Sequence, residues 1–411
     1  MPWPKGARHL LRMQHVLNSQ SKGTFAIGRG SLAVFLFIVL SHVSALGFPQ
    51  NYEEGRGDFI SQCEEIVKAQ PLAKHGSLSL NNAKELSIDW CYVPSTNISS
   101  DKLILISSGV HGVEGFIGSG LQTQLLSKMV SKEIINTNTG VLFVHAVNPW
   151  GFKNQRRVTE NNVDLNRNQT FEADIFKLKN ANYLALDNLL NPKSPAGSGL
   201  FDYMGFMTNL VSNLLSTSKK ALRQAIAGGQ YVKEKGLFFG GKTQEPQVQI
   251  LRELYLEVTK KFKHITYLDI HTGYGERGVL HFLGKSYIRK NSKQYFQEVF
   301  GDQNVDLGSN KDFYKTHGDS LDFMESIIPK EKSLISMTLE FGTLDSQTLL
   351  GSVRSLYIMK QENQYFHNGA HSYQAEKKIK NNFREMFYPS DKKWQKSITG
   401  KFNSFMLKII N

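Results

Sequence analysis

The sequence predicts an α/β protein: a mixed, mainly parallel sheet flanked by helices on both faces. Three observations carry this. Residues 103–106 (Leu-Ile-Leu-Ile) form an apolar run bounded by Ser-Ser-Gly. Residues 116–130 follow with apolar positions at helical spacing, and residues 141–147 are a second apolar run closed by Asn148-Pro149. Strand, helix and strand in that order suggest a crossover unit in a parallel sheet.

The chain begins with a basic leader, residues 1–50, in which 31–47 is apolar and centred on the unbroken run 32–40. That core is shorter than the roughly 20 residues a spanning helix needs, and Val43-Ser44-Ala45 resembles a small-residue cleavage site. The expectation is a secretory signal, or an uncleaved anchor if the run extends to Phe48, with the rest of the chain secreted or held outside the cytoplasm. Residues 51–411 then form a single domain.

Within it, residues 58–69 carry apolar positions at helical spacing (Phe59, Ile60, Cys63, Ile66, Val67), and 85–93 reads as a strand. The stretch of about 171–249 differs, with mixed polar helices and the loops Gly228-Gly229-Gln230-Tyr231 and Leu237-Phe238-Phe239-Gly240-Gly241. It reads as a helical insertion lining the entrance to a site. Residues 251–262 return to helical spacing, 265–270 read as a strand ending at His271, and 334–339 as a strand ending at Glu340. The tail from about Gln361 is charged and helical.

Composition sets bounds. With 411 residues and 40% apolar content the chain buries a sizeable core. Of the net charge of +13, five units come from Lys5, Arg8, Arg12, Lys22 and Arg29, leaving about +8 without a long basic run. That pattern describes a solvated basic surface, suited to anionic substrates and not to nucleic acid. Two cysteines, Cys63 and Cys91, exclude a disulfide framework and a cysteine-based zinc site. Whether they pair stays open.

Three strand ends carry polar residues that a core does not need: His111 and Glu114, then Asp269 and His271, then Glu340. Open α/β sheets bind ligands at the carboxyl ends of their strands. His111 and Glu114, three apart on such a turn, suit a metal, and a catalytic zinc ion needs a third protein ligand besides. Between these ends lies residues 154–168, Asn-Gln-Arg-Arg-Val-Thr-Glu-Asn-Asn-Val-Asp-Leu-Asn-Arg-Asn.

Together these stretches resemble the zinc carboxypeptidase superfamily, which includes the carboxypeptidase A-like exopeptidases and the aspartoacylase and succinylglutamate desuccinylase branch. Within it the chain most resembles a family with a Ser-Gly-x-His-Gly-Val-Glu-Gly signature. The likeness covers about residues 52–365 and includes the two glycine-rich loops of the insertion. It implies that His111, Glu114 and His271 bind one Zn2+ ion and leave a position for water. It implies that Glu340 is the general base, taking a proton from that water and passing it to the leaving amine.

The same resemblance assigns Asn166 and Arg167 to the substrate's carboxylate, which an Arg fork binds bidentately. Arg157 is the choice for polarising the scissile carbonyl. Arg156 competes for that role, because sequence does not say which of two adjacent side chains faces inward. Tyr314, eight residues before Asp322, resembles the mobile tyrosine of the carboxypeptidases. Asp269, sharing a strand face with His271, would support the site.

The implied activity is hydrolysis of an amide near a free carboxylate, on a small peptide as a metallocarboxypeptidase or on an N-acyl amino acid as an aspartoacylase-like amidohydrolase. The rival is a binding protein that keeps the fold and a metal; retention of Glu340 argues against it. Membrane contact is expected only through the N-terminal segment. His145 reads as a core histidine, and His281 and His317 as flanking residues outside the metal set.

Overall fold

The computed structural model describes residues 47–80, 85–216, 224–226, 228–308 and 316–410. The leader expected over residues 1–50 lies, up to residue 46, outside the described residues. Among the described residues, eight strands form one sheet: β1 (Lys74–Ser79), β2 (Ser87–Val93), β3 (Lys102–Ser108), β4 (Gly140–His145), β5 (His264–Thr272), β6 (Leu280–Leu283), β7 (Val305–Asp306) and β8 (Ser333–Phe341). Their spatial order is β1-β2-β4-β3-β5-β8-β6-β7. The centre, β4-β3-β5-β8, is parallel, while β2 joins β4 and β6 joins β8 antiparallel. The sheet is therefore mixed and mainly parallel, as expected.

The described helices are α1 (Tyr52–Ala69), α2 (Gly115–Val130), α3 (Pro149–Lys153), α4 (Ala181–Ala185), α5 (Asp187–Leu190), α6 (Leu200–Ser216), α7 (Pro246–Thr259), α8 (Lys293–Phe300), α9 (Ser320–Ile327), α10 (Leu349–Asn368), α11 (Tyr373–Phe387) and α12 (Lys392–Ile410). Why β3 is apolar without alternation is now explained. Ile104 and Ile106 enter a layer with Phe59 of α1, Phe116 of α2 and Phe402 of α12. Leu103 and Leu105 enter the opposite layer with Leu251 of α7 and Phe323 of α9. A strand covered on both faces has no solvent side to leave polar.

Local signals explain most element ends. Asn51 caps α1 by accepting from Glu54 N at 2.8 Å, with Glu53 and Glu54 in the first turn. Helix α1 thus begins at Tyr52, six residues ahead of the apolar spacing. Pro149 opens α3, and Asn148 Oδ1 accepts from Gly151 N at 2.8 Å, ending β4 at His145.

The insertion is helical and has its own core, in which Tyr183, Leu190, Phe206 and Leu210 pack with Leu356 and Tyr357 of α10. It ends earlier than expected, because Pro246 starts α7, whose Val248 and Leu251 cover the sheet. The tail is not peripheral: Trp394, Ile398 and Phe402 of α12 are buried. Cys63 and Cys91 are buried free thiols. No helix of the described residues is long and apolar enough to cross a membrane.

Candidate metal centre

The turn after β3 is shaped by two glycines. Gly109 has φ +68°, a left-handed conformation that favours glycine. A Cβ on Gly112 would lie 2.1 Å from Gly151 C and 2.4 Å from Phe152 N, so the turn sits directly on the backbone of α3. Its amides are held from one side, Gly112 N donating to Arg157 O (3.1 Å) and Val113 N to Arg156 O (2.9 Å). The short 3-10 turn Gly112–Glu114 then brings His111 Nδ1 to 2.8 Å from Glu114 Oε1.

Strand β5 lies beside β3 with Asp269 opposite Ser107. His271, two residues on, shares the face of Asp269. Its Nδ1 lies 2.9 Å from Glu114 Oε2 and 3.2 Å from His111 Nδ1. One ligand atom from each of His111, Glu114 and His271 falls within 4.8 Å of the others, and all three residues are buried.

The outer nitrogen of each imidazole meets a buried carboxylate: His111 Nε2 lies 3.2 Å from Asp164 Oδ1, and His271 Nε2 lies 2.8 Å from Asp269 Oδ2. A carboxylate there draws the ring proton to Nε2 and leaves the Nδ1 lone pair facing inward. Asp269 is held in turn by the hydroxyls of Ser107 (2.7 Å) and Ser320 (2.6 Å). Two imidazole nitrogens and one carboxylate, each fixed from behind, fit a zinc-type divalent cation.

The electrostatics agree. Burial opposes ionisation of Glu114, but His111 and His271 outweigh it and hold the carboxyl below its usual range. Burial likewise opposes charge on Asp164, yet Arg157 and His111 hold its carboxyl well below the usual range. Burial disfavours the His271 cation, but Asp269 and Glu114 raise its pKa well above the ordinary value. A divalent cation held by these groups would have to displace any proton from His271 Nδ1.

Glu340 stands on β8 in direct register with His271. Tyr274 N donates to its Oε1 at 2.8 Å. Burial, joined by the charge of Glu114, pushes its pKa up to about 8.

The two adjacent arginines diverge. Arg157 Nε donates to Asp164 Oδ2 (3.1 Å), and its Nη1 lies 3.8 Å from Glu114 Oε1, beside the metal cluster. Arg156 turns away: Nε donates to Glu362 Oε1 (2.7 Å), Nη1 to Asn162 Oδ1 (3.3 Å) and Nη2 to Asn363 Oδ1 (3.2 Å). Its guanidinium stacks 3.6 Å from the Phe366 ring centroid. The expected substrate role of Arg156 is therefore corrected: it is a buried brace that ties α10 to the loop carrying Arg157.

Asn166 and Arg167 follow in the turn Leu165–Arg167, on the same segment as Asp164. Asn166 Oδ1 accepts from Ser320 N (3.0 Å), and Arg167 Nη1 donates to Asn166 O (2.6 Å). The glycine-rich loops brace this turn: Gly229, at φ +85°, packs where a Cβ would lie 2.8 Å from Arg167 Cδ, and Tyr231 Oη donates to Arg167 O at 2.8 Å. Tyr314 lies outside the described residues.

The structure thus brings His111, Glu114, His271, Glu340 and Arg157 together, with Asn166 and Arg167 on the adjoining turn. It adds Asp164, which contacts both His111 and Arg157. The signal for Asp164 was its place in Asp-x-Asn-Arg. His145 is a core residue, its Nε2 2.9 Å from Ser119 Oγ and its ring 4.7 Å from that of Phe59. His281 braces a loop by accepting from Glu276 N (3.0 Å).

No curated protein matches this chain. Among solved structures it is similar to bovine thrombin-activatable fibrinolysis inhibitor in complex with tick carboxypeptidase inhibitor, at 14% identity, 75% of this chain, 94% of that chain and a TM-score of 0.41. It is similar to a metallo-carboxypeptidase from Burkholderia cenocepacia (13% identity, 74% and 66% covered, TM-score 0.36). It is also similar to the succinylglutamate desuccinylase from Chromobacterium violaceum (11% identity, 75% and 73% covered, TM-score 0.33). These likenesses concern the fold alone. The family model described as "Protein of unknown function (DUF2817)" matches residues 48–401, nearly the whole described domain, and the chain belongs to that family.

Proposed function

We propose that the chain is a zinc-dependent hydrolase that cleaves an amide bond next to a free carboxylate, acting as a metallocarboxypeptidase. The observation that carries this reading is the pair of histidines whose Nδ1 atoms converge on Glu114 while each Nε2 is held by a carboxylate, with Glu340 opposite in register. A zinc ion held by His111, Glu114 and His271 supplies Lewis acidity toward a carbonyl and acidifies water.

The remaining work falls to the chain. Glu340 accepts the proton of the attacking water and hands it to the departing amine nitrogen. Arg157, oriented by Asp164, faces the oxygen on which negative charge develops. Asn166 and Arg167 hold the substrate carboxylate, so that the scissile carbonyl is presented between Glu340 and Arg157. The leader at 1–50 is read as placing this domain outside the cytoplasm.

Metal analysis of the purified chain, with a panel of peptides and N-acyl amino acids, tests the reading. The expected outcome is about one bound zinc per chain and release of C-terminal residues, with Glu340→Gln keeping the metal and losing turnover. Preferred cleavage of N-acyl amino acids would make the activity an amidohydrolase. Bound metal with no turnover, and unchanged ligand affinity in Glu340→Gln, would make it a binding protein.

A further inference from the structure

Ser320 opens α9 and is buried. The first N–H groups of a helix have no partner within it and need one elsewhere. Of the three that follow the cap Asp319, two are met by its own side chain: Oδ1 accepts from Leu321 N (3.1 Å) and Asp322 N (3.0 Å). The third, Ser320 N, donates to Asn166 Oδ1 at 3.0 Å. A backbone N–H can only donate, so it claims the oxygen of the Asn166 amide and turns the two N–H donors of that amide away from α9. A carboxylate only accepts, and Asn166 held in this way offers it the matching half of the amide.

The hydroxyl of the same residue faces the metal centre. Ser320 Oγ donates to Asp269 Oδ2 at 2.6 Å, and that oxygen lies 2.8 Å from His271 Nε2. The other oxygen, Asp269 Oδ1, accepts from Ser107 Oγ on β3 (2.7 Å). Ser107, Asp269, His271 and Ser320 are all buried, so water does not compete for these bonds. The loop before α9 is pressed on the turn that carries Asn166. Gly318, at φ +70°, packs where a Cβ would lie 2.8 Å from Arg167 O, and Gln169 N donates to Gly318 O (2.9 Å).

We propose that Ser320 is a positioning residue that ties the metal centre to the substrate's carboxylate site: its hydroxyl holds Asp269 against His271, and its amide aims Asn166. The second half rests on the role proposed above for Asn166. One residue then sets two chemically unrelated properties, and substitution separates them. Ser320→Ala removes the hydroxyl and keeps the N–H. Ser320→Pro removes both, and the site accepts proline: it is the first helical position, and Asp319 before it is already extended, at φ −84° and ψ 166°. Ser107→Ala, which releases the other oxygen of Asp269, is the comparison.

Zinc affinity is measured in the full chain with a competing chelator, which needs no turnover. All three variants lose about tenfold or more. Carboxylate recognition is measured by calorimetry in zinc-loaded chains that also carry Glu340→Gln, with an N-acetylated dipeptide and its C-terminal amide as probes. Preference for the free acid survives in Ser320→Ala and Ser107→Ala and falls about tenfold in Ser320→Pro. Unchanged zinc affinity in Ser320→Ala overturns the proposal, and the alanine variant alone suffices for that. An acid preference in Ser320→Pro equal to that in Ser320→Ala overturns it as well. Equal binding of acid and amide with Ser320 intact refutes instead the carboxylate role of Asn166, and the amide half of the proposal with it.

Discussion

The imidazole of His145 is the group through which acid should destabilise this domain. It ends β4 inside the core, 2.9 Å from Ser119 Oγ and stacked on Phe59. Burial, countered only in part by Asp89, pushes its pKa down to about 4. In the unfolded chain it binds a proton near the ordinary value of about 6.5. As pH falls between the two values the unfolded state takes up a proton that the folded state refuses, so stability is lost through that window. The gap of about 2.5 units corresponds to about 3 kcal/mol, a large fraction of the stability of a typical domain.

His145→Gln removes the titrating group. At neutral pH the variant should be less stable than wild type by about 1–2 kcal/mol, through loss of the ring stack and imperfect filling of the site. Urea unfolding of both proteins in chelator, stepped from about pH 7 to about pH 4, should show that advantage of wild type shrinking and then reversing. Titration of the metal-site residues is common to both proteins and cancels in the difference. Stability curves that stay parallel across the window would refute the assignment.

Asp164→Asn should weaken zinc affinity about 10–100-fold by releasing His111 Nε2, measured with a competing chelator; unchanged affinity would remove Asp164 from the site. Zinc affinity should rise with pH, because His271 is held protonated above its ordinary range and must shed that proton. Equal calorimetric affinities at mildly acidic and mildly alkaline pH would contradict this. Arg156→Ala should cost about 3–5 kcal/mol in urea unfolding, since it leaves Glu362 buried and unpaired. Arg157→Ala should also cost stability, since the buried Asp164 carboxylate loses the guanidinium beside it, and should in addition lower kcat about a hundredfold or more. Arg167→Ala should raise KM for substrates with a free carboxylate far more than for their amidated counterparts, and equal effects on both would sink the clamp.

Much of the fold was legible because its signals are local. An apolar run of strand length between turn residues reads as a buried strand whatever it later packs against, and 103–106, 265–270 and 334–339 all became central parallel strands. The edge strands β1 and β7 escaped notice, as did β6 beside β7: Lys74–Ser79 is short and polar, and Val305–Asp306 has two residues. Such strands owe their existence to a neighbour's free hydrogen-bonding edge and not to their own composition.

By itself the sequence determined which groups are on offer: His111, Glu114, His271, Glu340 and the arginine-bearing turn all stand at strand ends or on the loop between them. Spacing within one strand even placed Asp269 on the face of His271. Only the tertiary structure decided how these groups are aimed. Arg156 and Arg157 are neighbours of the same type, and what separates them is Glu362, 206 residues later, which claims one guanidinium while Asp164 claims the other. The direction of a side chain is set by the charge and packing it meets, and contacts of that range leave no trace in local pattern.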